Sequence, residues 1–424
     1  MVYILNVNGQ PLMPTNRHGK VKHLLKQGKA KVIKRCPFTI KLLYDSTTYV
    51  QELTLGVDTG SGTIGTAVSN SKNEIVYMSK VILRNDITKK MTQRAKYRRN
   101  RRNRKTRYRK PRFNNRHNSI KIDRFSPTMI SKIQSHIKEI EFIKSILPIA
   151  KLVLETGQFD PHLMKNPSLA NPKIKHWGYQ KGPNYGFENT KAMVLNRDSY
   201  ICKYCKGKHK DSKLEVHHII YRGKGGSNDK DNLITLCHTC HKKLHNGKIN
   251  PNFTGKTKGT LKHATQMNSI RKQLLILYPE AIETFGYITK ANRLMLGMEK
   301  DHHIDACIIA TKGEKFEIQT SLYIKKCISD GDFQKTKGVR SEQPITTGKI
   351  LGFRKFDKIK YLGNEYFIKG RMSSGYAILM DIEGKKIDFS HMPKGFKTPK
   401  LCNLKRIGAR KTWIITEVDM LNII

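Results

Sequence analysis

The sequence predicts a multidomain α/β protein with a small metal-stapled module set near its middle. Three observations predict it. Runs patterned like strands interleave with runs at helical spacing along much of the chain, and two of them, Leu53–Asp58 and Ala150–Glu155, end at an acid. Cys202-x-x-Cys205 and Cys237-x-x-Cys240 frame a short segment with the spacing of a structural tetrathiolate zinc site. Beyond about residue 340 the pattern turns to short strands separated by Gly turns. A net charge of +48 on 424 residues demands a polyanion over much of the surface, which points to nucleic acid as partner.

The elements follow in order. Residues 1 to 50 read as a short α/β unit: strand Val2–Leu5, turn Pro11-Leu12-Met13-Pro14, helical spacing from Val21 to Gly28, and strands Ala30–Ile33 and Phe38–Leu43. Leu53–Asp58 is a strand running into a Gly-rich turn, Thr63–Ser69 a second, and Ile75–Leu83 a third after a hairpin at Ser71-Lys72-Asn73. Residues 89 to 116 hold fifteen Lys or Arg and no acid, so a helix there has no apolar stripe to bury and needs phosphate around it. Pro127–Leu147 reads as an amphipathic helix, Ala150–Glu155 as a buried strand, and 160 to 190 as loop, being rich in Pro, Gly and Asn. A linker from Gly247 to Lys262 leads to further helical spacing, including Asp301–Ala310. Lys358–Leu362, Glu365–Lys369 and Tyr376–Met380 read as strands of a small β-barrel-like domain. The four Cys outside the pairs (Cys36, Cys307, Cys327, Cys402) are scattered, which suits a reducing cytoplasm. Met1–Leu5 runs straight into Asn6 with no signal-peptide pattern, and no apolar run is long enough to span a bilayer, so no membrane partner is expected.

Between the two Cys pairs lie His217-His218, Gly225-Gly226 and Asn232, and just beyond them His241 and His245. Zinc on Cys202, Cys205, Cys237 and Cys240 would pin a module whose inner His and Asn face one point. The combination resembles the HNH nuclease, a ββα-metal fold. Asp58, Glu155 and Asp305 form a second set: two end strands and one sits near a helix start, with His302 on the same helical face as Asp305. That is the arrangement of an RNase H-like fold, where such acids hold two Mg²⁺ for phosphodiester hydrolysis.

The ordered set Pro11–Pro14, Gly56-Val57-Asp58-Thr59-Gly60-Ser61, the Arg-rich segment, Leu154–Phe159, the HNH insert and His302-His303-Ile304-Asp305-Ala306 resembles the IscB family over essentially the whole chain. These are transposon-encoded RNA-guided DNA endonucleases, relatives of the CRISPR type II effectors. The resemblance implies a split RNase H-like (RuvC) core with an inserted HNH domain. Its parts would be a PLMP domain (1–50), RuvC part I (51–86), an arginine-rich bridge helix (87–118), RuvC part II (119–190), the HNH domain (191–250), RuvC part III (251–335) and a C-terminal domain contacting RNA and the target-adjacent motif (336–424). It makes Asp58, Glu155, His302 and Asp305 the RuvC Mg²⁺ site and His218 the HNH general base. Asn232 would orient the His loop. His217 and His241 would be HNH Mg²⁺ ligands, with His245 as the alternative to His241. His217 stands where many relatives have Asp, and imidazole favours softer ions. Arg94, Arg98, Arg101, Arg102, Arg104, Arg107 and Arg109 would anchor the guide RNA (ωRNA). The implied activity is cutting of both strands of a DNA target beside a short flanking motif, HNH on the guide-paired strand and RuvC on the displaced one. The implied state is a monomer in a cytoplasmic, prokaryotic ribonucleoprotein, at the nucleoid when on DNA. Only about 40 residues separate the bridge helix from Glu155, leaving no room for a large recognition lobe, so RNA itself must scaffold the heteroduplex. The competing readings are an unguided HNH homing or restriction endonuclease and a non-catalytic RNA-binding protein with a structural zinc module.

Overall fold

The computed structural model describes residues 1–103, 125–179, 181–182, 184–256, 261–329 and 349–419. It divides into two compact units, Met1–Gly157 with Gln266–Ile424, and Gln158–Thr265. Among the described residues no helix is long and apolar enough to cross a membrane.

The first unit opens with β1 (Tyr3–Leu5), α1 (His18–Lys26), β2 (Ala30–Arg35) and β3 (Phe38–Leu42), a three-stranded sheet packed on one helix through Val21, Ile40 and Leu42. Two hairpins follow, β4 (Leu53–Asp58), β5 (Thr63–Ser69) and β6 (Glu74–Ile82). The basic helix α2 (Ile87–Asn103) starts two residues before the first Lys of the basic run. Ile87 is buried and Asp86 pairs with Lys90 at 2.8 Å and Arg84 at 3.0 Å, so the one acid beside the segment nucleates it. Arg94 and Arg98 are exposed on this helix; Arg104, Arg107, Arg109 and the side chains of Arg101 and Arg102 lie outside the described residues. Then come α3 (Pro127–Lys144), capped by Ser126, and β7 (Ile149–Thr156).

The second unit contains α4 (Pro161–Lys165), α5 (Pro172–Gly178) and α6 (Thr190–Arg197), and then β8 (Leu214–His218), β9 (Leu233–Cys237) and α7 (His238–His245). The region expected to be loop is therefore partly helical. Asp160-Pro161, Asn166-Pro167 and Asn171-Pro172 each place a side-chain cap before Pro at the first helical position, and each opens a short helix. The first unit resumes with α8 (Lys262–Leu277), β10 (Ile282–Phe285), α9 (Gly286–Met295) and α10 (His302–Ala310). It ends with β11 (Glu317–Ile318), β12 (Leu322–Cys327), β13 (Lys358–Tyr361), β14 (Asn364–Arg371), β15 (Ala377–Met380), β16 (Lys405–Gly408) and β17 (Trp413–Val418).

The central sheet runs β10-β7-β4-β5-β6-β12-β17, with β11 beside β6. β5 runs antiparallel to both β4 and β6, whereas β7 lies parallel to β4 and β10 parallel to β7. The last strand, β17, pairs antiparallel with β12 and so belongs to this sheet. β15-β14-β13-β16 form a separate four-stranded sheet whose path is open among the described residues, not a closed barrel. Its core is Ile359, Ile368, Leu379 and Leu401. Inside the first unit Lys325 and Glu139 are fully buried as an ion pair: Nζ lies 2.7 and 2.8 Å from the two carboxylate oxygens and 2.7 Å from the Tyr77 hydroxyl. The Phe142 and Trp413 rings cover the ammonium at 4.0 and 4.7 Å.

Candidate active sites and metal centres

Asp58 and Glu155 are register partners on the neighbouring parallel strands β4 and β7, so their side chains leave the sheet at the same level. α10 lies directly on β4 and β5 because two glycines face it. A Cβ on Gly65 would sit 1.8 Å from the His302 carbonyl oxygen, and one on Gly56 2.5 Å from the Ala310 nitrogen. The close approach brings His302 Nδ1 to 2.6 Å from Asp58 Oδ2. Asp58 and Asp305 are both buried.

α9 closes the third side. Thr289 hydrogen-bonds Glu155, and a Cβ on Gly286 would lie 3.0 Å from Glu155 Oε1. The buried Arg293 donates from Nη1 to Asp305 Oδ1 at 2.7 Å. Glu155 Oε2 is buried without a hydrogen-bond partner. Burial, then the negative charges of Asp58 and Asp305, push the Glu155 carboxyl up to about 7. Burial raises Asp58 as well, against the His302 hydrogen bond, and that bond raises His302. Converging carboxylates with an unsatisfied inner oxygen form a donor set that a hard dication fits. In the structure Asp305 is tied to Arg293, and among the described residues the three acids do not form a group with mutually adjacent ligand atoms.

In the second unit β8 and β9 pair over their full length, and α7 follows β9 directly. The ligand sulfurs of Cys202, Cys205, Cys237 and Cys240 lie within 4.8 Å of one another, all four buried. Cys205 Sγ and Cys237 Sγ are 3.8 Å apart, the edge of a tetrahedron with Zn–S bonds of about 2.3 Å. His209, which spacing did not single out, stands 3.8 Å from Cys240 Sγ.

Neighbouring residues of a strand face opposite sides, which separates the two adjacent His. His217 is buried and turned to α7, where ligand atoms of His217, His241 and His245 lie within 4.8 Å of one another. His241 and His245 share one helical face, and their Nε2 atoms are 3.1 Å apart. The structure thus brings all three His together, in place of a choice between His241 and His245. Burial and the neighbouring imidazoles hold His217 down to about 4, so it is a neutral lone-pair donor at physiological pH. Glu215, missed by the sequence reading although it is two residues before His217, accepts from His241 Nδ1 at 2.5 Å and leaves Nε2 for an ion. Three imidazoles suit a softer ion than Mg²⁺, as the His at position 217 foreshadows.

His218 faces the loop, where its Nε2 is 2.8 Å from Asn228 Oδ1. The Arg222 Nε also lies 3.3 Å from the same nitrogen, so both neighbours engage His218 through Nε2. Asn228 is itself held by Arg222 Nη2 at 3.0 Å. Asn232 is completely buried and staples the loop: its Oδ1 accepts from the Ile220 N–H at 2.8 Å, and its Nδ2 donates to the carbonyls of Ile220 and Ser227. Lys165, Tyr179, Lys181, Asn228 and Lys230 line a cavity of about 560 Å³ beside this loop.

Comparison with known proteins matches two stretches of the chain to described families. Residues 2–182 match the family described as RRXRR protein, and residues 202–247 match HNH endonuclease. Anaredoxin of a Nostoc species is 40% identical over 70 residues, covering 16% of this chain and 88% of that protein. The type IV methyl-directed restriction enzyme EcoKMcrA of Escherichia coli is 38% identical over 65 residues, 14% of this chain and 23% of that one. Streptococcus thermophilus Cas9, solved in complex with the AGAA PAM, overlays 57% of this chain on 32% of its own, with 12% identity and a TM-score of 0.32.

Proposed function

We propose that this chain, an IscB-like relative of the type II effectors and a metal-dependent DNA endonuclease of the HNH class, takes its target sequence from a bound ωRNA and cuts both DNA strands. The observation that carries the reading is the presence of two separate hydrolytic constellations in one chain of charge +48. A binding protein has no use for buried carboxylates raised by one another, nor for three imidazoles on one point. The strand path supports an RNase H-like core: three antiparallel strands, then two parallel strands beyond the first, with acids at adjacent strand ends.

In the HNH unit His218 acts as general base on the attacking water through Nδ1, and Asn228 fixes the ring. His217, His241 and His245 would hold a divalent ion, which when bound stabilises charge on the departing oxygen. Asn232 keeps the loop geometry constant through the cycle. In the RuvC-like unit Asp58, Glu155 and Asp305 would hold Mg²⁺, with His302 beside Asp58 as the proton-handling group. Carried over from the family, HNH cuts the guide-paired strand and the carboxylate site the displaced one, and the C-terminal residues read the flanking motif. Exposed Arg94 and Arg98 on α2 provide phosphate contacts for the guide.

The test is to sequence the nucleic acid that co-purifies with the full chain, then map nicks on each labelled strand of a matched duplex. A discrete long RNA and guide-dependent cutting of both strands support the proposal. Cutting without RNA returns the unguided nuclease, and RNA without cutting returns the binder.

A further inference from the structure

α9 is built inside out. Its buried stripe is polar: Thr289 and Arg293, one turn apart, face Glu155 and Asp305. Its outward stripe, Tyr287, Ala291 and Leu294 with Met295 alongside, is apolar. Tyr287 is 73% exposed, Leu294 65% and Met295 75%. An amphipathic helix normally buries its apolar side. Here the acids claim the polar side, so the apolar side faces solvent. The Tyr287 ring also stacks on Phe285, at 6.1 Å between centroids and 8° between planes. Phe285 ends β10, and its register partner Thr156 adjoins Glu155. Lys290 is exposed on the same helix.

We propose that the outer face of α9 with the Phe285–Tyr287 pair is a stacking platform for unpaired DNA nucleotides next to the phosphodiester cut at the Asp58–Glu155–Asp305 site. The inference deepens the nuclease reading above and rests on it. A scissile phosphate at those acids places its flanking nucleotides over whatever borders them, and α9 borders two of the three. Parallel aromatic rings offer any base a π-face, apolar side chains receive its edge, and Lys290 neutralises the phosphate. Paired bases have no free face to give, so the platform selects a strand already displaced from its duplex. Recognition of this kind is independent of sequence, as a guided enzyme requires.

The experiment uses the purified full chain with Ca²⁺ in place of Mg²⁺ and a single-stranded DNA carrying 2-aminopurine. Wild type should quench the probe. Tyr287→Ala should bind roughly 5- to 100-fold more weakly with less quenching, and Tyr287→Phe should restore both. Leu294→Glu, which leaves the aromatic pair intact, should also weaken binding. With Mg²⁺ and guide, Tyr287→Ala should slow displaced-strand nicking and leave guide-paired-strand nicking at the wild-type rate. Unchanged quenching in both Tyr287→Ala and Leu294→Glu overturns the proposal. So does a larger Tyr287→Ala effect on RNA of the same sequence than on DNA, or a change in oligomeric state, which would mean that a second copy covers the face. Tyrosine-dependent quenching without guided cutting by wild type would sink the guided reading while leaving the platform standing.

Discussion

On the function proposed above, Gly65→Ala should disable the Asp58–Glu155–Asp305 centre without touching any of its residues. Gly65 is the register partner of Asp58 across β4 and β5, and its missing side chain is the space into which the first turn of α10 fits. An added Cβ would meet the His302 carbonyl oxygen at 1.8 Å and the His303 nitrogen at 3.2 Å, both backbone atoms. Ordinary contact begins near 3.4 Å, so the helix start must retreat by about 1.5 Å in a densely packed interior. Gly56 sets the other end of the same helix against Ala306 and Ala310, so α10 tilts instead of translating freely. The tilt carries His302 away from Asp58 and Asp305 away from Glu155. A displacement of about 1 Å in positioned catalytic groups costs on the order of 10²-fold in rate. Overpacking of this kind costs about 1–3 kcal/mol in stability, so the protein should still fold. The assay is strand-resolved nicking of a duplex target. Under the proposed strand assignment the displaced strand should lose roughly 10²-fold in rate, with cutting of the guide-paired strand as internal control. Wild-type cutting of both strands would refute the argument that α10 is seated by glycine, and loss of both would mean that the centres are not independent.

Four further outcomes are expected. His218→Ala should slow guide-paired-strand cutting on the order of 10²–10⁴-fold with target binding retained, checked by single-turnover nicking and gel shift. Metal analysis should find about one Zn²⁺ per wild-type chain; replacing Cys237 and Cys240 together by Ser should abolish it, and limited proteolysis should then attack the second unit first. Lys325→Met strands the Glu139 carboxylate in the core and should destabilise the first unit by about 3–5 kcal/mol, read as a lowered melting temperature; an unchanged melt would mean water reaches the pair. Replacing Arg98, Arg101, Arg102 and Arg104 together by Gln should weaken RNA binding and flatten its log–log salt dependence by roughly 0.7–0.9 for each phosphate no longer neutralised.

What the sequence revealed and what it hid divide along a physical line. The zinc frame was legible because four ligands must come in two close pairs, and a Cys-x-x-Cys turn presents both sulfurs locally. Asp58 and Glu155 were legible because each ends an apolar run, and parallel register then aligns them. The partners that finish both centres were not. Arg293 and Thr289 reach the acids from α9, a helix whose pattern reads as an ordinary amphipathic one until its buried side is known. Glu215 and Asn228 act through contacts to His241 and His218 that no periodicity encodes. The helices from Pro161 to Gly178 did carry a signal, a capping Asp or Asn before each Pro, but a rule that scores Pro and Asn as loop formers reads it backwards.

The two units also differ in how far their cores can stand without metal. The first buries a continuous apolar cluster that runs through Leu53, Leu55, Val57, Ile140 and Leu154, large enough to enclose a Lys–Glu pair at full burial. Among the described residues the second unit has smaller clusters: Leu236 with the four cysteines, against which Leu214, Ile234, Leu244, Ile249 and Phe253 pack, and Met193, Val194 and Leu233. A core that includes four sulfurs is stable only in one charge state. Burial and the adjacent sulfurs raise Cys237 and Cys240, whereas at Cys205 burial is overcome by hydrogen bonds from His209, Cys202 and Gly207 together, which bring it down to about 6. A dication bound there would turn mutual repulsion into cross-linking, so the same four residues would serve as ligand set and as core. β8, which carries His217 and His218, is held by its pairing with β9 and by Leu214 and Val216 against the two small clusters, and the proposed zinc would staple the partner strand's end. The register Leu214↔Cys237 joins the strand start directly to a ligand. On the proposed reading, chelation should therefore displace His217 and His218 before the chain as a whole unfolds, seen as loss of guide-paired-strand cutting ahead of the melting transition.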